Sequence, residues 1–317
     1  LKALQAYADR NVVEGDELMD QAWKQSLVAT IFEQMFERQL SQSQVDLIAQ
    51  YMDKAPGACV LDSSLWPLTW AAGLGTVQHI RAFTTELVKS SPVGRRAPQV
   101  FGSEYKKANP HHKALSAEEL EGATNDFLRQ LADGFLFAGL LGTSGLSKQT
   151  FKRIRDDPKF YYPKWNESKV AFLVETSRLD PPVTWFSNIA EEPVEVHYPR
   201  WGPVTYPVGT PMVYLIGTAN RDRAVFGGPT NSKQRAETFD PKRKELRSVL
   251  TWNGMESAWS AKDGSLNATQ APRGCPGRAL SQATVVALVD AFGPRLPPNF
   301  LEDASATPDG DYYFTHI

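Results

Sequence analysis

The sequence predicts a mainly α-helical chain with small β-sheets, and three observations carry that expectation. Apolar residues recur at helical spacing at Leu27, Ile31, Met35 and Phe36, and again at Val45, Ile48 and Met52. A capped helix is expected after Ser116, where Ser-Ala-Glu-Glu supplies an N-cap and first-turn acids ahead of Leu128, Leu131, Phe135 and Ala138. The stretch Val204 to Ala219 alternates around Gly209 and predicts a hairpin.

Composition narrows the class before any motif is read. At 317 residues the chain can bury one substantial core, and with 42% hydrophobic and 22% charged residues it falls in the globular range, which excludes global disorder. A net charge of -2 with scattered Lys and Arg argues against a nucleic-acid partner. Two cysteines, Cys59 and Cys275, cannot staple a chain of this size and leave the compartment open. No apolar run is long enough to span a bilayer and no signal-peptide pattern stands at Leu1. The chain starts without methionine, which reads as a beginning inside a larger protein.

Taken in order, the first helical stripes should end at the Pro56-Gly57 break, with Cys59 a small buried hydrophobe beyond it. The aromatic run from Trp66 to Trp70 leads to a helix from Gln78 to Lys89. Ser90 to Asn109 carries prolines and basic residues without periodicity and reads as a loop, with Arg95-Arg96 and Lys106-Lys107 as solvated loop charges. His111-His112 reads as solvated, since no third metal ligand stands at a useful spacing. The helix after Ser116 then meets Ala138-Gly139-Leu140-Leu141-Gly142-Thr143-Ser144-Gly145. Three glycines in a helix cost about 1 kcal/mol each against alanine, and their tolerance suggests close approach by something flat.

The stretch that organises the chain is Thr269-Gln270-Ala271-Pro272-Arg273-Gly274-Cys275-Pro276-Gly277-Arg278, which runs into a helix-like segment from Ser281 to Phe292. Arg273 sets a permanent cation two residues before the sulfur, Pro272 and Pro276 flank the loop, and Gly277 admits a flat partner to the backbone. Haem b meets those demands, because a thiolate can hold its iron from one axial side. Upstream, Glu175 and Arg178 lie three apart on one helical face ahead of Leu179-Asp180-Pro181-Pro182-Val183, and Phe239-Asp240-Pro241-Lys242-Arg243 follows.

Arg-x-Cys-x-Gly, Glu-x-x-Arg with its proline exit, Asn220-Arg221-Asp222, Phe-x-Pro-x-Arg and the small pair Ala138-Gly139, in this order, resemble the cytochrome P-450 superfamily. The resemblance is specific over 116–317, while 1–115 matches only as a helical front portion, and it implies a single haem-thiolate domain over 1–317 that lacks the family's first part. A preceding domain or partner chain would supply that part. The resemblance further implies that Cys275 is the axial metal ligand, that Pro272, Arg273, Gly277 and Gly139 border the cofactor, that Ala138, Gly139, Thr143 and Ser144 face the reaction, and that Glu175, Arg178 and Arg243 form a buried structural triad.

The sequence departs from the family where oxygen activation is organised. The acid and alcohol of the central helix are replaced by Leu141 and Gly142, and Thr143 and Ser144 offer only a slipped alcohol. The usual aromatic seven residues before the cysteine is Ala268, and Leu250-Thr251-Trp252-Asn253-Gly254 with a long polar insertion is similar to the allene oxide synthase and hydroperoxide lyase branch. That likeness implies an enzyme that rearranges or dehydrates an organic hydroperoxide, of a fatty acid above all, without dioxygen, reductase or NADPH. The branch's central-helix asparagine has no match here. Two other readings stand beside it: a monooxygenase fed by a reductase, and a haem-binding or assembly protein of this fold whose catalysis has decayed.

Overall fold

The computed structural model describes residues 16–60, 67–111, 113–198, 200–252, 254–260 and 274–292, with 265, 267 and 269. Its longer helices are α1 (Asp16–Phe36), α2 (Gln42–Val60), α3 (Pro67–Lys89), α4 (Pro92–Ala108), α5 (Ala117–Gly134), α6 (Thr143–Asp156), α7 (Pro158–Glu167), α8 (Lys169–Leu179) and α9 (Arg278–Phe292). Three two-stranded antiparallel sheets complete it: β1 (Trp185–Ile189) with β4 (Pro211–Leu215), β2 (Val194–Tyr198) with β3 (Gly202–Tyr206), and β5 (Leu250–Thr251) with β6 (Gly254–Met255). The chain divides into two units, one of 1–169 with 276–307 and one of 170–275 with 308–317. Among the described residues no helix is long and apolar enough to cross a membrane.

The first unit is a helical assembly closed by apolar packing. Trp23, Leu27, Val28, Ile31, Phe32 and Phe36 of α1 are all buried, so the spacing seen in the sequence does mark a core face. Phe32, Phe36 and Phe135 form an aromatic cluster, with Phe135 edge-on to both partners at centroid distances of 5.3 and 5.7 Å. Asp290 of α9 accepts from the buried Trp165 Nε1 at 3.1 Å and pairs with Lys169, tying α9 to α7. Burial and that nearby carboxylate push the Tyr162 hydroxyl above its usual range.

Several expectations are corrected in this unit. Pro56-Gly57 does not break the chain, because α2 runs on to Val60; the Cys59 side chain lies outside the described residues. Helix α3 starts at Pro67, well before Gln78. The segment read as a loop is helix α4. Ser91 caps it by accepting from Gly94 N at 3.0 Å, and Pro92 stands at the first turn, where its missing N–H costs nothing. Gly94 is required by close approach, since a Cβ there would stand 2.1 Å from Val88 O. Arg96 is therefore a helix-surface charge, bonded to Glu37 at 2.6 and 3.0 Å. His112 lies outside the described residues.

Ser116 opens α5 with a complete capping box: its hydroxyl accepts from Glu119 N at 3.2 Å and the Glu119 carboxylate accepts from Ser116 N at 2.8 Å. The long helix expected beyond it is not one α-helix. Residues Phe135–Gly142 form a π-helical segment before α-geometry resumes at Thr143.

In the second unit the expected hairpin is also redrawn. Gly209, at φ 85°, does sit in a turn, but the strands on either side of it do not pair with each other. β3 pairs back to β2, Val194 opposite Tyr206, and β4 pairs with β1, Trp185 opposite Leu215. Alternation identifies a strand, not its partner.

Candidate functional site

The polar centre of the second unit grows from α8. One helical turn brings Glu175 and Arg178 onto the same side, and both side chains are fully buried. Glu175 Oε2 accepts from Arg178 Nε at 2.7 Å and Oε1 from Arg178 Nη2 at 2.8 Å, a two-point guanidinium–carboxylate fork. The same Oε1 accepts from Arg243 Nε at 3.0 Å and from the backbone N–H of Asp240 at 2.9 Å. One carboxylate thus faces two guanidiniums, and the excess positive charge is met by backbone carbonyls. Arg178 Nη1 donates to Asn220 O and Ala236 O at 2.9 and 2.7 Å, and Arg243 Nη2 to Thr238 O at 2.6 Å. The Arg178 guanidinium also stands 5.0 Å from the Phe226 ring centre.

From this centre a chain of contacts leads toward the cysteine. Asn220, fully buried, forms a two-point pair with Leu250: Nδ2 donates to Leu250 O and Oδ1 accepts from Leu250 N, both at 2.8 Å. Leu250–Thr251 pairs with Gly254–Met255, and Trp252 between them holds φ 47°, a left-handed backbone that is unusual for a large side chain. Trp252 packs against two buried clusters, one made of Val174, Phe226, Ala236 and Val249 and the other of Ala258 and Trp259. Its carbonyl accepts the backbone N–H of Cys275 at 2.8 Å. Cys275 is a half-buried thiol outside any disulfide. Asn220 and the Trp252 carbonyl were not assigned roles from sequence, because their partners lie 30 and 23 residues away.

In the first unit, the π-helical segment buries Phe135, Leu136, Leu140 and Leu141 and leaves Ala138 exposed and Gly139 partly so. A methyl built on Gly134 or Gly142 meets no atom within 4 Å, and one on Gly139 meets only ordinary contacts at 3.7 Å from Ile31 and Phe135. The protein's own packing therefore does not demand these glycines. Thr143 is buried at 2% and its hydroxyl donates to Ser281 Oγ of α9 at 3.1 Å. Ser144, at 8%, is buried too. No Asp or Glu occurs in the sequence from 134 to 155.

The structure thus brings together Glu175, Arg178 and Arg243, and it gives Thr143 a structural partner instead of a free hydroxyl. Gly277 leads into α9; Pro272 and Arg273 lie outside the described residues. Among those residues no group of three or more His, Cys, Asp or Glu is placed to hold a metal ion. Cys275, partly exposed and outside any disulfide, is a donor of the kind that a haem iron takes. An open depression of about 410 Å³ lined by Gly217, Thr218, Ala219, Arg221 and Asp222 contains none of the residues expected to bear on a cofactor.

No family model and no curated protein matches the chain. Solved structures do. Cytochrome P450 CREJ matches at TM-score 0.61 and 16% identity over 93% of this chain and 66% of its own. Epothilone B-bound cytochrome P450epoK matches at 0.59 and 17% over 93% and 67%. CYP109E1 from Bacillus megaterium in complex with testosterone matches at 0.55 and 15% over 93% and 69%. The chain spans 66% of the length of the first of these structures, just under two thirds. The likeness establishes that the mainly helical chain with small sheets has the cytochrome P450 fold.

Proposed function

We propose that this chain, carrying the cytochrome P450 fold, is a haem-thiolate enzyme that takes Cys275 as axial ligand to haem b and converts an apolar organic hydroperoxide, of a fatty acid above all, without dioxygen or reductase. The observation that supports the oxidant is the central segment. Leu141 and Gly142 stand where an acid and an alcohol would move protons, and the next hydroxyl, Thr143, is buried and bonded to Ser281. A site so built is poor at delivering protons to bound dioxygen. A hydroperoxide brings its O–O bond ready made, and its isomerisation, or its dehydration with loss of one water, balances with no outside electrons.

A haem held by Cys275 would supply the chemistry that cleaves that O–O bond. The chain's own contribution is to hold the sulfur and to limit proton access. Cys275 is held through its backbone N–H on Trp252 O, and the segment around Ala138 and Gly139 carries no carboxylate that could relay a proton. A second reading, a monooxygenase with a reductase partner, draws on Ser144 as a slipped alcohol.

Haem-loaded protein incubated anaerobically with a polyunsaturated fatty acid hydroperoxide should form product retaining peroxide oxygen, with no NADPH present. Cys275→Ser should abolish the thiolate signature of the ferrous carbon monoxide spectrum. Turnover only with reductase and air would install the monooxygenase, and haem binding without either activity would point to the decayed binding protein.

A further inference from the structure

We infer that Asn220 is a positioning residue for Cys275, acting through the Leu250–Trp252 hairpin; the inference rests on the reading of Cys275 as the haem ligand. A lone cysteine in a loop has rotational freedom that would blur the direction of its sulfur. Here the backbone on which the sulfur stands is fixed by one hydrogen bond, Cys275 N–H to Trp252 O at 2.8 Å. That carbonyl points as it does because Trp252 adopts φ 47°, a conformation a tryptophan holds only when its surroundings over-determine it.

Two anchors supply that constraint. The indole is packed into two apolar clusters, and the strand entering the turn is clamped by the Asn220 amide through both the N–H and the C=O of Leu250. The orientation of the amide is forced: Leu250 N is a donor and can meet only Oδ1, which leaves Nδ2 for Leu250 O. Asn220 is itself held by Arg178, which donates to its carbonyl at 2.9 Å. The buried charge centre and the cysteine loop are thereby connected by Arg178, Asn220, Leu250 and Trp252. No other side-chain type satisfies both Leu250 groups at that reach. Aspartate keeps the acceptor and loses the donor; alanine loses both.

The test compares wild-type protein with Asn220→Ala and Asn220→Asp by two readouts. Amide hydrogen exchange, which needs no haem, should show at least tenfold loss of protection at Leu250–Trp252 and at Cys275 in Asn220→Ala, a smaller loss in Asn220→Asp, and none in α9. In haem-loaded protein the ferrous carbon monoxide spectrum should shift from the thiolate form toward the protonated-thiol form in the same order, with haem content retained. Unchanged exchange at Cys275 and an unchanged spectrum in Asn220→Ala overturn the inference. Should Asn220→Ala be insoluble, Asn220→Asp alone decides, and wild-type protection with a wild-type spectrum there overturns it equally. Absence of a thiolate spectrum in the wild type instead removes the haem reading and leaves the exchange result to judge the strut by itself.

Discussion

The two units of this chain solve the same problem with opposite materials. In the first, long helices satisfy their own backbone, and what remains is to bury side chains such as Trp23, Leu27, Ile31, Phe32 and Phe135. In the second, beyond α8, elements are short and many carbonyls have no ladder partner. Two guanidiniums supply donors to Phe226, Arg235, Ala236, Thr238 and Asn220, with one carboxylate to hold them in place. An irregular region can thus be made rigid by buried cations, provided that no member of the set is lost.

The largest expected effect breaks that comparison at its centre. Glu175→Ala leaves two buried guanidiniums facing each other and should cost about 3–5 kcal/mol, a large part of a domain's stability. Exchange measured by mass spectrometry should show 170–275 losing protection while α1 and α5 keep theirs. Equal loss in both units would show that they unfold as one, and a stable, fully protected variant would contradict the role of the triad.

A matched cut in the first unit is Phe135→Ala, which removes the ring packed edge-on against Phe32 and Phe36. It should cost about 3 kcal/mol in denaturant unfolding, with a cavity that neighbouring side chains partly fill. Because that loss is graded, Phe135→Leu should recover more than half of it. No conservative replacement should recover Glu175 in the same way.

The smallest effect belongs to the α5 start. Ser116→Ala should cost about 1 kcal/mol. The Ser116 backbone N–H and hydroxyl hold the exposed Glu119 carboxyl below its usual range. A depressed carboxyl stabilises the folded form above its unfolded pKa, near 4.3, and that help fades as pH falls through the lowered folded value. Fraying of α5 between pH 5 and 2, read by exchange at Ala117–Leu120, should therefore be pH-dependent in wild type and flat in Glu119→Gln.

How far the sequence could be read follows from how local each signal is. The Ser116 cap and the Glu175–Arg178 pair span three residues, and both are present as geometry. Helix α4 was hidden because Pro92 and Pro98 resemble loop markers, although a first-turn proline fits a helix well. The β1–β4 pairing, the Thr143–Ser281 bond and the Asn220 clamp join residues far apart, so nothing near them in sequence announces them. Of the cysteine loop the structure describes Gly274 onward, and the expected roles of Pro272 and Arg273 fall outside the described residues.

The π-helical segment carries a consequence for the phase of everything after it. Closing each turn over five residues instead of four takes up extra chain without ending the helix. The wider turn absorbs about one residue relative to an α-helix, so a one-residue deletion within 135–142 should let α-geometry run through while α6 stays near its present phase, with Thr143 still on Ser281 and Leu146, Thr150 and Ile154 still buried. The same deletion made inside α6, where no wide turn can absorb it, would turn the residues after it by about 100° and should do more harm.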